Sequence, residues 1–163
     1  IWLEMSRDEV HSGDAWEFGR CVWSPTHKKN GSRWAFWSLI LDSKVDDIVI
    51  HLQGKNNAAF VGYSTVSSNG IESANQPPEP GDWGYSSFYR ADLEQFTPFP
   101  SPIPLENIFQ SKDDELTNYF LNNKKRLGNQ KERLFYVLQG GRLQCLNGAY
   151  FFRSKLNSSR YNF

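Results

Sequence analysis

Aromatic residues are the chemistry this sequence offers in unusual quantity. Six Trp, seven Tyr and twelve Phe stand among 163 residues. Rings fill cores, but they also stack on bases and sugars. Two tryptophans are badly placed for a continuous core stripe. Trp23 stands just before Pro25, beside a polar loop carrying His27, Lys28, Lys29 and Arg33. Trp83 lies between Asp82 and Gly84, in a loop rich in Pro and Gly. Two loop-edge rings facing each other would make a slot for a flat or methylated group, held by stacking and cation–π-like contacts. The competing reading is that each ring caps the end of a sheet. Trp34 and Trp37 fall on one helix face and are assigned to the core; Trp2 is placed at the periphery.

Other chemistries find less support. Ser24 and Ser64 have no Gly-x-Ser-x-Gly elbow and no histidine implied beside them. Gly140-Gly141 reads as a hairpin turn and not as a phosphate loop. Asp46 and Asp47 followed by Lys55 resemble the acidic-then-Lys pattern of a Mg²⁺-dependent nuclease, although both stretches read as turns. The two cysteines, Cys21 and Cys145, and the three histidines have no zinc spacing. No metal or other cofactor is expected, and the cysteines are expected as free thiols.

Charge is informative once the chain is divided. Residues 1–118 carry 9 Lys and Arg against 17 Asp and Glu; residues 119–163 carry 9 against 1. A basic C-terminal third under a zero total suits a polyanionic partner and argues against indiscriminate coating of DNA. Lys124, Lys125, Arg126 and Arg142 lead that third. No apolar run approaches the roughly 18 residues of a membrane helix, and no signal peptide opens the chain. A cytoplasmic setting is expected. Because the first residue is Ile1, the chain is expected to be a piece of a longer polypeptide.

These side chains need elements to hold them. Residues 1–19 read as an irregular or partly helical entry and 20–24 as a short strand. Ser32 is placed as the N-cap of a helix over 33–41. Strands are expected at 48–52 and 58–66, a long loop at 67–84 and a strand at 85–96. Short helices follow at 105–109 and 114–122, then a basic loop at 123–131. The hairpin pairs 134–139 with 142–146, and 149–152 is a last strand. Five or six strands with helices between them, not alternating strand and helix, predict an α+β fold with a curled, barrel-like sheet. Residues 1–153 are expected as a single domain. The polar tail 154–163 is expected to lead to a further domain.

The order of motifs resembles the PUA-like superfamily, most nearly its EVE and YTH branches. Asp46-Asp47-Ile-Val-Ile-His51 stands where the EVE branch has a Gly-Asp strand start, with Asp46 in the glycine's place. Ala59-Phe-Val-Gly-Tyr-Ser-Thr-Val66 resembles the strand that follows. Trp23-Ser24 is similar to the Trp-containing strand end that supplies one wall of the YTH cage. Trp83-Gly84, before the next strand, resembles the second wall. The resemblance covers roughly residues 10–110.

It implies a twisted PUA-like barrel and a non-enzymatic reader of modified double-stranded DNA. The base would be flipped between Trp23 and Trp83. Ser24 and Asp14, nine residues ahead of Trp23, would read its edge. Lys28, Lys29, Arg33, Lys124, Lys125, Arg126 and Arg142 would hold phosphates. In prokaryotes such domains are specificity modules of modification-dependent restriction systems, fused to a GTPase or nuclease. A methyladenine RNA reader, a Mg²⁺ nuclease and a protein-interaction domain are the alternatives.

Overall fold

The computed structural model describes residues 1–6, 16–54, 57–78, 87–146 and 151–153. Asp14, Lys55, Trp83 and the tail 154–163 lie outside them.

Among the described residues the main sheet has seven strands rather than the five or six expected. They are β1 (Trp2–Ser6), β2 (Cys21–Pro25), β3 (Ile48–Gln53), β4 (Ala59–Val66), β5 (Ile71–Ser73), β6 (Phe88–Pro104) and β9 (Phe151–Arg153). The order is β2-β6-β4-β3-β1-β9, with β5 also on β6. β1 runs parallel to β3, and the other pairings are antiparallel. The α+β reading holds, and the sheet curls into a nearly closed barrel. A 3₁₀ helix, Trp37–Asp42, packs against β2 and β6 near one edge and against β9 at the other. Its buried Trp37, Leu39 and Ile40 fill the barrel.

Two expectations about the N-terminal third are corrected. The start of the chain is a strand inside the sheet, not an irregular entry. Trp2 is buried, not peripheral: its ring stacks on Phe151 at 4.8 Å. Its Nε1–H donates to Asp47 Oδ2 at 2.8 Å, an oxygen that also accepts the Lys44 N–H at 2.9 Å. The helix expected over 33–41 is replaced by a turn and the short 3₁₀ helix. Ser32 does not cap it, because its hydroxyl donates to Asn30 Oδ1 at 2.7 Å. Trp37 is core, whereas Trp34 is only half-buried, with Lys28 Nζ 4.1 Å above its ring.

Asp46, in the resemblance's glycine position, has φ 71°. That is the left-handed region where glycine rests without cost and Asp is among the residues that tolerate it.

Strand β6 is long because its two halves do different work. Residues 88–93 are flanked by β2 and β5. The second half pairs with β4 and carries Pro98, Pro100, Pro102 and Pro104. Leu105 N–H donates to Ala58 O at 2.8 Å, so the donor that Pro104 lacks would have pointed away from β4. Prolines sit at outer edges of sheets for this reason.

Beyond β6 come α1 (Leu105–Ser111), α2 (Asp113–Asn122), α3 (Lys124–Leu127) and a 3₁₀ turn, Gln130–Glu132. The basic stretch expected as a loop is therefore largely helical, as befits Lys, Arg and Leu, which favour helix. The hairpin β7 (Tyr136–Gln139) and β8 (Arg142–Cys145) forms as expected. Gly140 and Gly141 turn it with φ of 59° and 75°, as a type I′ turn requires. Tyr136 and Phe109 join this layer to the main hydrophobic core. Cys21 and Cys145 are free thiols. No described helix is long and apolar enough to cross a membrane.

Candidate nucleic-acid interface

Trp23 lies within β2, opposite Arg90 of β6. Its ring is half-buried and meets two buried rings edge-on: Trp16 at 5.9 Å and Phe88 at 5.6 Å. Arg90 lies 4.3 Å over Trp16, and its Nε–H donates to Asp92 Oδ1 at 2.7 Å. Trp16, Cys21 and Phe88 form a small core of their own, separate from the barrel interior, and Trp23 packs on it. Burial pushes the Cys21 thiol up to about 12; Arg90 opposes the shift, and Glu4 and Asp92 add to it. Trp23 is thus anchored by rings while part of it faces solvent. Sequence reasoning found Trp23 but not its supports, Trp16 and Arg90.

Ser24 faces the other way, as the next residue of a strand must. It is buried, and its hydroxyl donates to the Trp37 carbonyl at 3.2 Å. Its hydroxyl is therefore committed to the barrel interior, and its backbone N–H and C=O face Tyr89 in the β2–β6 ladder, so neither is turned towards a base as the edge-reading role expected of it requires. The two partners proposed with it, Asp14 and Trp83, fall outside the described residues.

The loop after β2 is built around Arg33. Its Nε–H donates to His27 Nε2 at 3.1 Å, and its Nη1 donates to the Tyr89 hydroxyl at 3.5 Å. Arginine can only donate, so His27 carries its proton on Nδ1 and donates to Thr26 Oγ1 at 2.7 Å. Thr26 passes the chain to Ser87 O at 3.1 Å, and Ser87 Oγ donates to Glu72 at 2.8 Å. Neither group that Arg33 touches is a carboxylate, so its charge is positioned by an imidazole and a phenol. Lys28 is likewise held by a ring rather than a carboxylate. Lys29 is exposed.

The second basic segment is tied to this loop. Ala35 N–H donates to Gln130 Oε1 at 3.2 Å, and Lys131 Nζ lies 3.9 Å from Asp42. Cations nearly a hundred residues apart in sequence are brought onto neighbouring loops. Lys124 and Lys125 are exposed, and no described carboxylate pairs with them. Arg126 is different: Nη2 donates to the Tyr119 hydroxyl at 2.7 Å and Nη1 lies 3.7 Å from Glu132. Lys125 and Arg126 line an open hollow of about 480 Å³ with Asn122, Asn123 and Asn129. Arg142 is exposed at the tip of the β7–β8 hairpin.

Of the chemistry expected at turns, Lys55 lies outside the described residues. Asp47 is occupied as an acceptor for Trp2 and Lys44. Among the described residues no cluster of metal-ligating side chains forms. One arrangement was missed. His51 does stand beside Ser64, with Oγ 2.8 Å from Nε2, and His51 Nδ1 contacts the Glu4 carboxylate. Glu4 and His51 face each other across β1 and β3, and Ser64 lies one step along β4. The signal was the alternation itself: His51 and Ser64 share a sheet face with the buried Val49 and Val66.

No family model matches the chain, and neither does any curated protein. Among solved structures it is similar to the N-terminal domain of Staphylothermus marinus McrB. Identity there is 14% and the TM-score 0.41, over 67% of this chain and 78% of that one. It is also similar to human THYN1 in complex with DNA containing 5-methylcytosine, at 15% identity and a TM-score of 0.39 over 91% of each chain. The DUF55 domain of human thymocyte nuclear protein 1 aligns at 12% identity and a TM-score of 0.39, over 91% of this chain and 92% of that one. These are loose likenesses of fold.

Proposed function

We propose that this chain binds modified double-stranded DNA, taking the modified base out of the stack against Trp23, with Trp83 as the opposite wall. The observation that carries the reading is the setting of Trp23. It is a part-exposed ring held edge-on by Trp16 and Phe88. On the same strand's exit stand Lys28, held over the Trp34 ring, and Arg33, held by His27 and Tyr89.

Magnitudes are adequate. Extruding a base costs a few kcal/mol. Stacking returns about 1–3 kcal/mol per base, and hydrogen bonds to the base edge add to that. Lys28, Lys29 and Arg33, with Lys124 and Lys125 across the Ala35–Gln130 link, would hold phosphates and fix the register without reading sequence. Asp14 is carried as an edge reader by the sequence resemblance. So is a role as the specificity module of a modification-dependent restriction system. The role is binding; the chemistry would belong to a fused partner.

The test is a titration at about 100 mM salt, where phosphate contacts contribute without swamping discrimination. Matched duplexes would be unmodified or carry N6-methyladenine, 5-methylcytosine or 5-hydroxymethylcytosine, beside a methyladenine RNA strand. A preference of about tenfold, 1.4 kcal/mol, for one modified duplex is expected. Preference for the RNA would move the reading to an RNA reader. Equal binding to every probe would leave a basic surface without a cage.

A further inference from the structure

One cation stands directly against Trp23, and the account above gives it no task. Arg90 is opposite Trp23 in the β2–β6 ladder. Arg20 O and Thr26 N–H, three residues to either side of Trp23, bond to Leu93 and Ser87. That phase makes Trp23 and Arg90 a non-hydrogen-bonded pair, the kind whose Cα atoms are about 4.5 Å apart and whose side chains lie closest. Both side chains therefore leave the same face of the sheet. It is the face away from the barrel core: Val22 and Ala91 point into that core, whereas Cys21 and Phe88 join Trp16 in the small one. Arg90 and Trp23 also meet a common ring. The guanidinium carbon lies 4.3 Å over Trp16, and Trp16 meets Trp23 edge-on at 5.9 Å.

The guanidinium is held in place. Arg90 Nε–H donates to Asp92 Oδ1 at 2.7 Å. Asp92 is fixed in turn by Ser68, whose hydroxyl donates to Oδ2 at 3.2 Å and accepts the Asp92 N–H at 3.0 Å. The Arg90 side chain keeps 17% of its surface exposed. An ion pair so far withdrawn from water adds little net stability, because desolvation offsets the attraction. Its use lies in what it presents. A guanidinium donates through five N–H groups and accepts nothing. Fixed beside a part-exposed ring, it favours a base whose edge carries acceptors.

We infer that Arg90 reads the edge of a base stacked on Trp23, taking one with two adjacent acceptors, and so 5-methylcytosine in preference to N6-methyladenine. The inference rests on the modified-DNA reading and narrows it. Cytosine carries O2 and N3 side by side, a spacing that suits the fork of a guanidinium as guanine O6 and N7 do. N6-methyladenine offers a single acceptor on either edge, N1 or N7. Beside it stands the N6 group, which brings a hydrogen and a methyl against the donor.

The test places each base opposite an abasic site in one duplex, so that pairing strength does not enter. The probes are 5-methylcytosine, N6-methyladenine, their unmodified parents and 3-deaza-5-methylcytosine, in which C–H replaces N3 with the shape kept. The wild-type chain should bind 5-methylcytosine about tenfold more tightly than the 3-deaza base or N6-methyladenine, the scale of a two-bond base contact. Arg90→Lys keeps the charge and loses the fork. Its ratio of 5-methylcytosine to the 3-deaza base should fall to near unity, whereas a merely structural role would weaken all probes alike.

A wild type that prefers 5-methylcytosine to cytosine but treats the 3-deaza base like 5-methylcytosine removes Arg90 as the reader and leaves the wider proposal standing. Preference for N6-methyladenine, or an unchanged ratio in Arg90→Lys, has the same meaning. So does an equal loss on every probe with a shallower salt dependence, which would put Arg90 on a phosphate. Should the variant not fold, the 3-deaza comparison on the wild type decides alone. A wild type that tells neither modified base from its parent overturns both readings.

Discussion

Replacing Lys124 and Lys125 together by Gln separates a nucleic-acid surface from a merely solvated one. Both side chains are exposed, and no described carboxylate pairs with them, so their removal should leave stability within about 0.5 kcal/mol. If each neutralises one phosphate, two contacts are lost. The slope of log K against log salt should then become less negative by about 1.8, at roughly 0.9 per phosphate for duplex DNA. Between 50 and 200 mM salt that slope change corresponds to about a twelvefold difference in how far affinity falls. Modified and unmodified duplexes should lose affinity equally, because phosphates carry no base identity. Fluorescence anisotropy over a salt series measures both. Arg126→Gln is the control. Its guanidinium is engaged by Tyr119 and Glu132, so it should cost up to about 1 kcal/mol of stability and leave the slope where it was. An unchanged slope in the double Lys variant would remove α3 from the interface. A change confined to Arg126→Gln would show that the ion pair opens on binding, against the assignment made from its geometry.

Trp23→Ala should abolish the preference for a modified base with the far-UV spectrum retained; loss of the fold instead would make Trp23 core and the cage wrong. Gly70→Ala should cost about 3 kcal/mol or prevent folding, at the upper end of overpacking. A Cβ there would sit 1.8 Å from the Ile40 carbonyl oxygen and 2.9 Å from Leu41 Cα, so backbone must move; a variant melting with the wild type would refute that packing. Cys21 and Tyr136 are both pushed up to about 12 by burial. Both are held neutral in the folded chain while the unfolded chain ionises from about pH 9 upward, so their contribution is complete below pH 9 and fades towards pH 12. Urea titrations should give a falling midpoint across that window, less steep in Tyr136→Phe, and a flat midpoint would contradict the burial of both groups.

What could be read from the sequence followed local rules, and what could not depended on distant partners. The hairpin at Gly140-Gly141 was legible because its turn demands positive φ twice. β3 and β4 were legible from short β-branched runs bounded by turn residues. β1 was not, because Glu4 interrupts an otherwise apolar run and looks like a surface position. Its partner, His51, lies 47 residues away. Trp2 was set aside for a similar reason: the acceptor that buries its N–H, Asp47, is 45 residues away. The helix expected at 33–41 had a good cap and a good face. Lys28 over Trp34 and the Ala35 link to Gln130 instead hold residues 33–36 in an open turn. Of the candidate site, sequence reasoning reached Trp23 and the cations from residue type and context. It missed the rings of Trp16 and Phe88 that hold Trp23 edge-on.

The four alternating prolines of β6 bear on how the protein behaves among other copies of itself. Proline has no N–H, so prolines at 98, 100, 102 and 104 thin the backbone donors of this half of the strand. A neighbouring chain that approached there would find carbonyls and no ladder to complete. This half of β6 can therefore be long and partly apolar without templating fibrils. During folding that same half has one workable mate, β4, which shortens the search for register.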